Sequence, residues 1–192
     1  MRAVVWVQGC PFRCPGCVSE EWIPDRPANL MHPAELVQHL LDDPSVEGLT
    51  FSGGEPMAQA AALAETYRLA SANRSLTLIC YTGYRLEQLR ERPPNPGVGE
   101  LLELADVLID GLYSRTADDG RGLRGSTNQQ VHHLTGRLAA FADEFVTTSR
   151  RAEIIVRDER MHLVGLPPPG LIDALQQLWE PDDHGRDESR TR

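Results

Sequence analysis

VWVQGCPFRCPGC, residues 5–17, is a strand that breaks into a cysteine loop. Val5, Trp6 and Val7, preceded by Ala3 and Val4, are the β-branched and aromatic residues of a buried strand, predicted over 3–8. Pro11, Pro15 and Gly16 then forbid regular structure. Cys10, Cys14 and Cys17 fall within eight residues as C-x3-C-x2-C, and the fourth cysteine, Cys80, is remote. Three chemistries fit. Structural zinc wants four protein ligands, so His32 or Cys80 would have to join. Cys14 and Cys17 alone would make a redox dithiol, which leaves Cys10 unexplained. An iron–sulfur cluster usually takes four cysteines, and three leave one iron open to a small molecule. Spacing alone ranks the cluster above zinc, and zinc above the dithiol.

Outward from this loop, strands and helices alternate. A helix is predicted over 32–43, with Leu36, Val37, Leu40 and Leu41 on one face and Pro33 in its first turn. A strand (46–52) runs into the sharp turn GGEP (53–56), then a helix (57–73) turns Ala60, Leu63, Tyr67 and Ala70 inward. The strand 75–81 ends in another turn, TGY. Short helices follow at 85–91 and 99–105, then a strand at 106–111 and a polar loop from Tyr113 to about Gln130. The segment 131–148 has no clear period, with a helix at 134–145 as one reading. Two strands, 152–157 and 161–166, are joined by a polar turn at 158–160. A closing helix covers 171–180, and the charged stretch 181–192 reads as disordered. Alternation of this kind predicts a largely parallel sheet with helices outside. The distinctive turns follow strands, so they share the carboxyl edge, where such sheets bind ligands.

Composition narrows the class. The 192 residues suit one domain with a tail, 1–170 as its core. Net charge is −9, and all 19 basic residues are arginine. No basic stripe marks a nucleic-acid binder. No apolar run reaches the length of a membrane span, and no targeting segment is apparent, which gives a cytoplasmic expectation. A tight cysteine cluster without a secretion signal points to metal or redox chemistry, not to a disulfide framework.

The ordered set VWVQGCPFRCPGC, TFSGGEPM (50–57), YTGY (81–84), DVLIDGLY (106–113), LRGSTNQ (123–129) and HLVGLP (162–167) resembles the radical S-adenosylmethionine (SAM) superfamily. More narrowly, it is similar to the activating proteins of anaerobic ribonucleotide reductases. Gly16 stands where the superfamily pattern has an aromatic residue, as is common in that branch, and Trp22 also resembles it. Relatives carry a segment with a Gly-Pro-Gly-like turn before the first strand. This chain begins at the strand, so a shortened start or a different partner surface is expected.

The resemblance implies a short, partly open (β/α) barrel with SAM and the cluster at the carboxyl edge. It implies a [4Fe–4S] cluster on Cys10, Cys14 and Cys17, with SAM on the open iron. One electron would cleave SAM to methionine and a 5′-deoxyadenosyl radical, which abstracts a hydrogen atom. Gly53 and Gly54 would admit the methionine ammonium close to the backbone, with Glu55 nearby. Tyr81 and Thr82 would touch SAM from the next turn, and Asp110 would orient it or bind a cation. Arg124, Ser126 and Asn128 would contact its ribose or carboxylate, and Gly165 would lie against adenine. Taken alone, GGEP is an ordinary tight turn, YTGY a strand end and LRGSTNQ a polar loop; the cysteines tip GGEP to binding. Cys80 and Trp6 read as core, and His132 and His133 as surface.

Three functions follow. The first is a glycyl-radical activase whose partner is a large enzyme such as an anaerobic ribonucleotide reductase, served by a flavodoxin- or ferredoxin-type electron donor. The second keeps the radical chemistry but acts on a peptide or small metabolite. The third is a non-catalytic iron–sulfur or zinc module, which has no need of a SAM site.

Overall fold

The computed structural model describes residues 1–72, 74–157 and 160–179. The expected tail 181–192 lies outside them. Strands β1 (Arg2–Val7), β2 (Gly48–Gly53), β3 (Thr77–Thr82), β4 (Val107–Asp110) and β5 (Gln130–His133) form one sheet in sequence order. β1 to β4 are parallel, and β5 returns antiparallel to β4. Helices α1 (Pro33–Leu40), α2 (Ala60–Ser71), α3 (Leu86–Glu91) and α4 (Val98–Leu104) connect the parallel strands. The fold is therefore mixed α/β with a mainly parallel sheet. No helix among the described residues is long and apolar enough to cross a membrane.

Alternation along the strands explains the two faces. Leu49, Phe51, Leu78, Cys80 and Leu108 point outward and pack with Ala60, Leu63, Tyr67, Leu86, Leu89 and Leu101 of the helices. Leu36 and Val37 of α1 and Leu41 just after it pack against the same cluster, and Leu40 is buried in it. On the inner face Ile79, Val107 and Ile109 pack with Phe145 of α5 (Ala142–Val146). Trp6 lies on the inner face and is half-buried against Trp22, with ring centroids 6.1 Å apart, so it is not the core residue expected.

Two expectations change. The sheet is open, with β1 and β5 as its edges, where a partly open barrel was expected. Five strands fall short of the roughly eight that give a filled small barrel, and the last runs antiparallel. Second, the patternless segment begins with β5, and its helical part is reduced to a 3₁₀ turn at Ala139–Phe141 and to α5. The edge of β4 offers unpaired backbone groups, and QVHH satisfies them. The predicted pair near the carboxyl terminus forms as an antiparallel hairpin of β6 (Ala152–Arg157) and β7 (Arg160–Gly165), a sheet of its own. Residues 158 and 159 of the expected polar turn lie outside the described residues. Helix α6 (Leu171–Trp179) follows.

Candidate cluster and cofactor site

The carboxyl ends of β1 and β2 are stitched together by backbone. Val7 pairs with Gly53 in the parallel register. The Gly54 N–H donates to the Val7 carbonyl (2.7 Å) and the Glu55 N–H to the Gly9 carbonyl (2.9 Å). Gly9 and Cys10 donate in turn to the carbonyls of Trp22 and Ile23 (2.9 and 3.0 Å), which closes the cysteine loop on itself. The Gln59 amide donates to the Gln8 carbonyl (2.9 Å), tying the start of the loop to the turn before α2. The glycines are demanded by this closeness. Gly53 has φ +95°, and a Cβ on Gly54 would overlap the Gly9 carbonyl. The side of Gly54 expected to face a methionine ammonium thus faces the cysteine loop.

The three thiols ride on that loop, all free and partly exposed. Burial is the main cause that pushes the Cys10 thiol up to about 11, with the charges of Glu55, Cys14 and Cys17 adding to it. Burial also raises Cys17, which has Cys14 and Glu20 as charged neighbours. The sulfurs are neighbours without converging: among the described residues, no three His, Cys, Asp or Glu side chains are gathered as for a single ion. The proposed fourth ligands of a zinc site are also placed elsewhere. Cys80 is fully buried under the helices, and His32 caps α1, its ring accepting from the Ala34 N–H (3.3 Å). A cluster suits this donor set better, because each thiolate meets a different iron and the ligands need to be spread.

Glu55 joins the second turn to the third. It is 1% exposed. Its Oε1 accepts from the Met57 N–H (2.8 Å) and the Thr82 hydroxyl (2.9 Å), and its Oε2 from the Gly83 N–H (2.9 Å). Burial raises its pKa, and these three bonds oppose the rise. Both carboxylate oxygens are therefore engaged within the chain. Gly83 was not singled out in the sequence, yet it supplies that N–H, and a Cβ on it would press into the Phe12 ring. Phe12 of the cysteine loop meets Tyr84 edge-on at 4.8 Å. The turns after β1, β2 and β3 thus form one continuous rim.

The fourth part of the rim is built from side chains. Asp110 is fully buried; its Oδ1 accepts from Arg85 (3.0 Å), and its Oδ2 accepts from the Leu86 N–H (2.7 Å) and lies 2.8 Å from His132 Nε2. It anchors α3 to the sheet, and His132 is half-buried rather than a plain surface residue. His133 is exposed, as expected, with its ring edge-on to Phe145. The Tyr81 hydroxyl donates to the Leu123 carbonyl (2.8 Å), and burial raises its pKa far above the ordinary value. Ser126 is buried and accepts from the Ser114 N–H (3.1 Å). Arg124 pairs with Asp119 (3.2 Å), and Asn128 donates to the Leu112 carbonyl (2.8 Å). Gly165 ends β7 at φ +109°, where a Cβ would crowd the Arg151 carbonyl; it belongs to the hairpin and not to the rim of the main sheet.

Sequence reasoning missed the residue that holds this loop. Arg150 has a side chain 3% exposed; it pairs with Asp118 (2.8 Å) and donates to the Arg124 and Gly125 carbonyls (2.9 and 2.7 Å). Nothing around SRRAE marked one arginine of the pair as buried. Gln129 was visible at the end of LRGSTNQ; its Oε1 accepts from the Gly125 N–H (2.7 Å), and its amide donates to the Gly111 carbonyl (2.7 Å).

A family profile described as 4Fe-4S single cluster domain matches residues 1–132. The chain is 28% identical over 143 residues to the anaerobic ribonucleoside-triphosphate reductase-activating protein of Escherichia coli K12, covering 69% of this chain and 88% of that protein. The protein of the same name from Vibrio cholerae is 31% identical over 144 residues, covering 70% and 88%. That of phage T4 is 28% identical over 138 residues, covering 68% and 82%.

Proposed function

The chain belongs to the 4Fe-4S single cluster domain family, and on that premise we propose that it is a radical SAM enzyme that installs a glycyl radical on a partner of the anaerobic ribonucleotide reductase type. The observation that carries this reading is the backbone union of the cysteine loop with the GGEP turn. It puts three thiols and a side-chain-free stretch of backbone in one rigid unit at the carboxyl edge. Cys10, Cys14 and Cys17 would hold a [4Fe–4S] cluster with one iron left for SAM. When bound and reduced, the cluster would supply one electron for cleavage of SAM into methionine and a 5′-deoxyadenosyl radical. The chain's own residues orient and shield. Gly53 and Gly54 keep the turn against the loop, and Phe12 and Tyr84 cover its flank. Glu55 fixes the spacing between the turns that carry Gly54 and Thr82. Tyr81 and Asp110 act one step back, through Leu123 and through Arg85 and His132.

Arg124, Ser126 and Asn128 shape the loop that borders the SAM nucleoside, and Gly165 keeps the hairpin close to Arg151. The electron comes from a flavodoxin- or ferredoxin-type donor, and the enzyme works in the cytoplasm. The test is anaerobic reconstitution followed by assay of 5′-deoxyadenosine, with electron paramagnetic resonance after mixing with the anaerobic ribonucleotide reductase of the same genome. A glycyl signal that is lost in Cys10→Ala, Cys14→Ala or Cys17→Ala supports the proposal. Deoxyadenosine without any glycyl signal moves the substrate to a peptide or metabolite. A protein that takes up no iron ends the radical reading.

A further inference from the structure

Gly16 leaves a gap beside the last cysteine of the loop, and a residue from far along the chain fills it. Gly16 has φ +74°, and a Cβ there would meet Arg115 Cδ at 3.2 Å and Nε at 3.6 Å. Arg115 opens the 3₁₀ turn Arg115–Ala117 that follows β4. That turn is held at both ends. The Ser114 N–H donates to the buried Ser126 hydroxyl (3.1 Å), and the Thr127 N–H to the Ala117 carbonyl (2.8 Å). The backbone that delivers Arg115 is therefore fixed by the LRGSTNQ segment. The far end of the guanidinium lies 3.8 Å from Asp173 on α6, with the two side chains 70% and 63% exposed.

The other charges near the loop are mostly negative. Glu55 acts on Cys10 and Glu20 on Cys17, and Asp25 would lie 3.8 Å from a Cβ on Gly9. Arg13 is carried by the loop itself and is exposed. Another segment lays the Arg115 side chain against Gly16, between Cys14 and Cys17.

We propose that Arg115 is an electrostatic cap on the cysteine loop that favours the reduced state of the cluster held there. The inference rests on the reading of Cys10, Cys14 and Cys17 as cluster ligands. One electron arriving from a flavodoxin- or ferredoxin-type donor makes the site one unit more negative, with no bond made or broken. A cation packed on the ligand loop stabilises that state, because cluster potentials follow local charge and solvent exposure. The guanidinium is largely exposed, so its effect is modest and sensitive to salt. Asp173 holds the guanidinium end and offsets part of its charge.

The test is a redox titration of the full-length, anaerobically reconstituted protein, read by the electron paramagnetic resonance of the reduced cluster. Arg115→Met should move the midpoint to more negative potential. At a fixed low potential the ratio of reduced to oxidised cluster should fall about threefold, half of the ~59 mV that a tenfold change requires for a one-electron couple. Arg115→Lys should stay near the parent. The gap between Met and Arg should close as ionic strength rises towards about 1 M, where the screening length is about 3 Å; a purely steric cover would show no such closing. If the methionine variant holds less iron, Arg115→Gln serves as the neutral form. Equal midpoints at low salt, with equal iron content, overturn the cap and leave the cluster reading intact. A parent protein that assembles no cluster overturns both.

Discussion

The rim has two halves built by different means. The half after β1, β2 and β3 is joined largely by backbone: Gly54 to Val7, Glu55 to Gly9, and Gly83 to the Glu55 carboxylate. The half after β4 is joined largely by side chains: Arg150 to Asp118 and two carbonyls, Gln129 to Gly111 and Gly125, and Tyr81 to Leu123. Backbone joints depend on the absence of side chains and tolerate no addition. Side-chain joints depend on a few long residues and fail when one is shortened. The first half carries the cysteines and must not move. The second carries the polar loop that follows β4.

The comparison breaks first at Gly54. Gly54→Ala puts a methyl group onto the Gly9 carbonyl, backbone against backbone, and should cost about 4 kcal/mol or more. Urea denaturation should show the loss, and iron uptake should fall with it. Unchanged stability and iron content would mean that the first half has slack after all. Arg150→Ala comes next. It leaves Asp118, whose side chain is 12% exposed, without its cation, for about 3 kcal/mol. Limited proteolysis should then cut within 114–130 while the purified folded fraction keeps its iron. Equal loss of iron would show that the two halves are not separable.

Glu55→Gln sharpens the contrast within the first half. An amide keeps the size but turns a donor towards at least one of Met57, Thr82 and Gly83, and should cost about 1–3 kcal/mol. Thermal denaturation measures it, and no change would mean that the carboxylate already binds a proton in the fold. The smallest effect belongs to Tyr81→Phe. It removes one bond to the Leu123 carbonyl, for about 1 kcal/mol. Hydrogen exchange at 123–126 should quicken, and exchange at 53–55 should not.

The same division decided what the sequence could reveal. Glycine and cysteine each answer a local need, so GCPFRCPGC and GGEP stood out as a site. The apolar runs of β1 to β4 stood out as strands, because a parallel sheet buries both faces. What a glycine makes room for was not readable: Gly54 suggested a ligand, and its neighbour is Gly9. β5 was hidden because QVHH has one aliphatic residue, and its strand state comes from the edge of β4. Arg150 was hidden because burial of an arginine is set by Asp118 and carbonyls far away in sequence. Asp110 was visible as a rim acid, but Arg85 and His132, which occupy it, were not.

The backbone closure of the cysteine loop also has a consequence for synthesis. Its bonds join residues 7 to 55, and the Glu55 brace extends this only to Gly83. All of these have left the ribosome before Asp118, and Arg150 emerges later still. At about 5–20 residues per second, the stretch from Gly83 to Asp118 gives the loop's scaffold a head start of about 2–7 s over the loop 114–130. The scaffold of the cysteine loop is thus synthesised before Arg150 and Asp118, which hold the later half of the rim.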